Sequence, residues 1–144
     1  MKRWLVVGGI WLGLGLLYAT WLRVQMSIYI SNFDWSTAFK WAMPDAVLWA
    51  MLSIAPIKLS ARMSLFGPHW RRNITAHGFL LVGIAALHSA LDAVAAYAMG
   101  SYAAEGLWTG VLVRLRESFP FNVMVSGIVV GVCHYLEHGR RLRA

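Results

Sequence analysis

Charge is scarce in this sequence. Only 13% of its 144 residues are charged, where a soluble domain carries about 25%. Acids are the scarcest, six Asp and Glu against thirteen Lys and Arg. There is one cysteine, Cys133, which excludes a disulfide framework and any cysteine-based metal site. It lies inside an apolar block and reads as a packing residue. No G-x-S-x-G, H-E-x-x-H, P-loop or glycine-rich phosphate loop occurs, so none of the common catalytic constellations is present.

What the chain has instead is apolar length. Fifty-nine per cent of its residues are hydrophobic, mean hydropathy is +0.58, and the apolar residues gather into four blocks. Each block is long enough for a membrane span, which takes about 20 residues. The expected spans are 4–22, 41–57, 74–99 and 119–136, in one all-α, integral membrane four-helix bundle covering 1–144. The first block follows a short basic flank and has 19 uncharged residues with no small-residue cleavage site, so it reads as a retained span and not a signal peptide.

The formal net charge of +7 does not mark a nucleic-acid binder, because the cations stand at the ends of the apolar blocks. With the N-terminus inside, Lys2, Arg3, Lys58, Arg62, Arg71, Arg72, Arg140, Arg141 and Arg143 lie inside, against Arg23, Lys40, Arg114 and Arg116 outside. The positive-inside rule then puts both termini in the cytoplasm. Such basic flanks also attract anionic lipid.

Between the spans, Asn32 or Asp34 can cap a short helix starting near Trp35, and Trp35 and Trp41 suit an interfacial aromatic belt. Pro44 and Pro56 mark a kink and an exit of the second span. Gly67-Pro68 signals a loop. The stretch from Gly100 to Glu117 reads as a polar connection holding an amphipathic interfacial helix, with Pro120 opening the fourth span.

Ionisable residues at membrane depth are costly and usually face a bundle interior or a polar cavity. The third block carries three: His77, His88 and Asp92. At 100° per residue the eleven-residue step from His77 to His88 returns to within about 20° of the same face, and Asp92 stands one turn further on. An Asp one turn from a His can orient the imidazole, so His88 with Asp92 could sense protons or hold a polar ligand. The plainer alternative is a neutral imidazole bonded to a backbone group. Asp45 sits shallow in the second span. His134 in the fourth lies level with His77, and two facing histidines are the minimal axial ligation of a b-type haem. Two G-x-x-x-G pairs, Gly9/Gly13 and Gly127/Gly131, offer faces for close helix approach within one chain or across a homodimer, or are glycines merely tolerated in a membrane helix. No convincing internal repeat supports a transporter.

Trp41-x-x-Pro44-x-x-x-Leu48-Trp49-Ala50-x-Leu52, then Pro56, the basic loop with Trp70-Arg71-Arg72, and His77 in the next helix form a set. It resembles the N-terminal membrane region of bacterial sensor histidine kinases of the LytS/AlgZ-like (YehU-like) class. The resemblance implies an inner-membrane, multi-pass sensory input module of a two-component system. It also implies a last span that continues through Tyr135, Glu137 and Arg141 as an output helix toward a dimeric signalling coiled coil. Glu137 and Arg141, four residues apart, suit a helical ion pair. The family's kinase core departs from view: no His-Phe-Leu-Phe-Asn phosphoacceptor segment and no ATP-binding boxes occur here. The chain alone is therefore not expected to phosphorylate anything, and the expected partners are the bilayer, a second copy, and a kinase core or response regulator. No resident cofactor is expected on this reading; haem b belongs to the alternative of a small haem-carrying anchor, and a transporter-like or structural membrane protein is the other.

Overall fold

The computed structural model describes residues 2–63, 65, 68–100 and 106–141; Gly67 of the predicted loop lies outside them, as do the side chains of Lys2, Arg3, Arg140 and Arg141. Every regular element among the described residues is a helix: α1 (Lys2–Met26), α2 (Trp35–Leu52), α3 (Ile54–Arg62), α4 (Trp70–Ala98) and α5 (Leu107–Arg141). α2 and α3 together form one apolar stretch, so four helical stretches are long and apolar enough to cross a membrane.

The distribution of side chains is that of a chain whose surroundings are apolar. Large apolar residues such as Leu5, Leu17, Phe79, Trp108 and Ile128 are exposed, while the buried residues are mostly Ala, Ser, His and Asn, with a few larger ones such as Phe33 and Trp49. Water would penalise such a surface by about 25 cal/mol for each Å² of apolar area. Lipid does not, and close helix packing there relies on small residues and interhelical hydrogen bonds.

The chain divides into two compact units, Met1–Met51 and Leu52–Ala144. In the first, α1 and α2 form a hairpin. Asp34 caps α2 by accepting the Thr37 N–H on its side chain (2.8 Å), as the sequence suggested, but the helix it starts is the spanning helix itself and not a separate short one. That bond and the Thr37 hydroxyl hold the exposed Asp34 carboxyl below its usual range. Ala38, Ala42 and Ala46 line the buried face of α2 one turn apart. Ala38 and Ala42 cluster with Ala19, Leu22 and Phe33, and Trp11 stacks on Trp49 at 5.5 Å.

The glycine that this hairpin needs is Gly15. An added Cβ there would stand 2.7 Å from Ala46 Cβ and 2.9 Å from Met43 Cε. Gly9 and Gly13, the pair singled out by spacing, would meet nothing within 4 Å among the described residues, and neither would Gly127 and Gly131. None of the four is a close-approach point among the described residues. Gly15→Ala should therefore destabilise by about 1–3 kcal/mol, the usual cost of overpacking. Gly9→Ala and Gly13→Ala should be neutral or stabilising by up to about 1 kcal/mol through helix propensity. Unfolding of the three variants in detergent micelles checks the contrast.

The second unit contains α3, α4 and α5. Helical structure continues past Pro56. This proline lacks the N–H that the Leu52 carbonyl would accept from, the helix is interrupted for one residue at Ser53, and α3 continues to Arg62. α4 ends at a glycine in the left-handed region, Gly100 with φ +90°, as a helix C-terminus commonly does. The larger correction concerns α5. The expected interfacial helix is not separate: Leu107–Arg141 is one helix of 35 residues with Pro120 inside it. A proline removes a single backbone bond, whereas ending and restarting a helix leaves about four orphan N–H and four orphan C=O groups, so in apolar surroundings continuity costs less.

Candidate functional site: the polar seam between α4 and α5

The polar residues of α4 and α5 meet along one seam. On α4 the buried positions include Asn73, His77, Ala85, Ser89 and Ala93, on a ridge of four-residue steps. On α5 they are Asn122, Ser126, Val130 and His134, again four apart. Ala85, Ser89 and Ala93 give this interface its small-residue face, the part that the glycine pairs were expected to play. As numbering rises along α4 it falls along α5, so the two ridges run antiparallel and the polar side chains fall into three levels.

At the level nearest the N-terminus of α4, His77 and His134 meet. Their Nε2 atoms are 2.9 Å apart, their ring centroids 4.6 Å apart, and the rings are inclined by 56°. His77 Nδ1 donates to the Asn73 carbonyl at 2.7 Å. The expectation that these two histidines lie level is met, and they touch directly.

The middle level is built on Asn122, which is 3% exposed. Its amide donates to His88 Nδ1 at 3.1 Å and to the Ser89 hydroxyl at 2.9 Å. Ser89 in turn donates to the Ala85 carbonyl, and Ser126 to the Asn122 carbonyl. Because Nδ1 of His88 accepts, its neutral ring carries the proton on Nε2. The group that orients the His88 imidazole at Nδ1 is thus an amide on the neighbouring helix.

The third level is an ion pair. Asp92 Oδ2 lies 3.2 Å from Arg114 Nε, with the two side chains 19% and 34% exposed. The Nε–H is not aligned on the carboxylate, so the contact is electrostatic and not a directed hydrogen bond. Arg114 was assigned from sequence to a surface-lying helix; the continuity of α5 brings it to Asp92 instead. Asp45 is half-buried on α2, in the first unit. On the far part of α5, Tyr135 is 79% exposed and Glu137 half-buried, while the Arg141 side chain lies outside the described residues.

Asn122, Ser89, Ser126 and Arg114 are the members that the reading of titratable residues passed over. The signal was there for Asn122: a carboxamide inside an apolar block carries a burial cost of the same kind as a histidine there. Chemically, the seam holds helices together, fixes tautomers and offers imidazoles as proton acceptors. It does not fit haem as it stands. An iron held on its axis by two imidazoles needs their nitrogens about 4 Å apart, twice a metal–nitrogen distance of about 2 Å, and His77 and His134 are bonded to each other at 2.9 Å. Among the described residues no group of three His, Cys, Asp or Glu side chains converges to hold a metal ion. Comparison of the chain with protein-family models, with curated proteins and with solved structures gives no match.

Proposed function

We propose that the chain is a membrane-embedded sensory input module, of the kind that feeds a two-component sensor histidine kinase, with α5 as its output element. The observation that carries this reading is the continuity of α5. One helix bears Arg114, Asn122 and His134 along the seam and runs on through Tyr135 and Glu137 to Arg141. Its 35 residues make it about 52 Å long at 1.5 Å per residue, against about 30 Å for a hydrocarbon core. A change in how α5 seats against α4 is therefore carried beyond the bilayer without crossing a loop. A stimulus acts by favouring one of two seatings, and its effect is bounded by its differential affinity for them.

The finer parts of the proposal follow from charge placement and from the resemblance. Both termini face the cytoplasm of a bacterial inner membrane, the open glycine face at Gly127 and Gly131 meets a second copy, and the output helix joins a kinase core acting on a response regulator. The test is a fusion of the whole chain to a kinase core in a membrane. His88→Leu and Asp92→Leu, which alter the middle and third levels, should each shift kinase output several-fold. Output unchanged by both variants would leave the seam as packing alone, and the chain as a structural membrane module.

A further inference from the structure

The His77–His134 contact sets two imidazoles against each other, and that gives it a definite proton requirement. His77 Nδ1 donates to the Asn73 carbonyl, so in the neutral ring Nε2 is bare and accepts, and His134 Nε2 must be the donor across the 2.9 Å gap. Both rings are nearly inaccessible, at 3% and 6% exposure. The bond persists only while one of the two facing nitrogens lacks a hydrogen. Charging both imidazoles puts an N–H on each Nε2, aims donor at donor and places two cations in contact. Separated and hydrated, each ring is free to take its own proton.

We infer that His77 and His134 form a proton-binding site whose double protonation parts α4 from α5 at this end of the seam. The linkage has a definite sign. The parted form holds more protons than the closed one, so falling pH favours parting and rising pH favours closure. The Asp92–Arg114 level contains no such donor–acceptor conflict, and at the Asn122 level the carboxamide can turn its oxygen toward the Nδ1–H of a charged His88, so the movement is expected at the His77 end. The other charged or titratable side chains described within about two turns of the pair are Arg71 and Arg72 on α4 and Cys133, Tyr135, Glu137 and His138 on α5, and α3, which packs on both helices, carries Lys58 and Arg62. Glu137, about one turn beyond His134, is the acid among them. His138, Arg71 and Arg72 are exposed and lie within about two turns of the pair. The inference concerns the seam and stands whether or not α5 relays a signal.

The test uses the whole chain in lipid nanodiscs with Cys133→Ser. Spin labels on Thr75→Cys and Tyr135→Cys report the His77 end, and labels on Leu91→Cys and Leu112→Cys report the far end. Across the range in which imidazoles charge, from about pH 8 down to about pH 5, the first distance should move outward and the second should not. The move should be lost with His77→Gln and His134→Gln together and kept with His138→Gln. Nitrogen-15 spectra of histidine-labelled, otherwise unaltered protein give a check that needs no variant: one bare Nε2 in the pair at high pH and none at low pH. A distance that ignores pH, a move that survives loss of both histidines, or an Nε2 still bare at low pH would overturn the inference.

Discussion

Asn122→Ala should lower the stability of the α4–α5 unit by about 1–3 kcal/mol, the desolvation cost of leaving buried polar atoms without their partner. Two acceptors on α4, His88 Nδ1 and the Ser89 hydroxyl, lose their donor at once. The site is too closed for water to replace it, His88 being 2% exposed and Ser89 fully buried. The pairwise energies should be smaller. Interhelical hydrogen bonds in membranes average about 0.6 kcal/mol in double-mutant cycles and reach about 1.7 at most, because the separated helices also find partners. A cycle of Asn122→Ala with Ser89→Ala should therefore give a coupling well below the single-variant loss, and a cycle with His88→Ala a somewhat larger one. Reversible unfolding, in micelles, of the four proteins in each cycle measures this. If Asn122→Ala cost nothing, His88 and Ser89 would not depend on the interhelical amide, and the middle level would be incidental to the seam.

Much of this architecture was legible because the bilayer imposes it. The four apolar blocks need helices to satisfy their own backbone, and the structure has helices over all four. Asp34 was legible as a cap because its carboxylate sits three residues before a free N–H. What misled was local reasoning about breakers. Proline predicted boundaries at Pro56 and Pro120, yet α5 continues across Pro120 and the interruption near Pro56 lasts one residue. A propensity is a price per residue, and the alternative in lipid is dearer. Counting glycines was incomplete for a related reason. What close approach within the chain needs is a small side chain, and Gly15 and Ala19 opposite Ala38, Ala42 and Ala46, and the run Ala85, Ser89 and Ala93, supply it, whereas Gly9, Gly13, Gly127 and Gly131 meet nothing within 4 Å among the described residues. Of the site, the level of His77 with His134 could be read from depth alone. The partners of His88 and Asp92 could not, since helical periodicity gives the face of one helix and says nothing of the register of its neighbour.

The Asp92–Arg114 pair should show an unequal response to the loss of its two members. Placing either charge alone at the centre of a membrane helix costs about 2.5–3.5 kcal/mol on insertion scales, less toward the interface. The pair is only partly enclosed, so the lower part of that range applies. The two side chains differ in what they can do when abandoned. Arg114 is long and can bend its guanidinium toward the headgroups, whereas Asp92 has one methylene and stays where α4 puts it. Arg114→Leu should therefore cost about 2 kcal/mol, taking the cation away from an acid that cannot move, and Asp92→Leu about 1 kcal/mol or less. The double variant, Asp92→Leu with Arg114→Leu, should recover most of the loss or exceed the original stability, since replacing both members of an enclosed ion pair with apolar groups is often neutral or favourable. The order of the three in unfolding measurements is the result to look for. Equal losses from the two single variants would show that both charges reach water unaided. A double variant worse than either single would show that the residues contribute through packing against α4 and α5 and not through their charge.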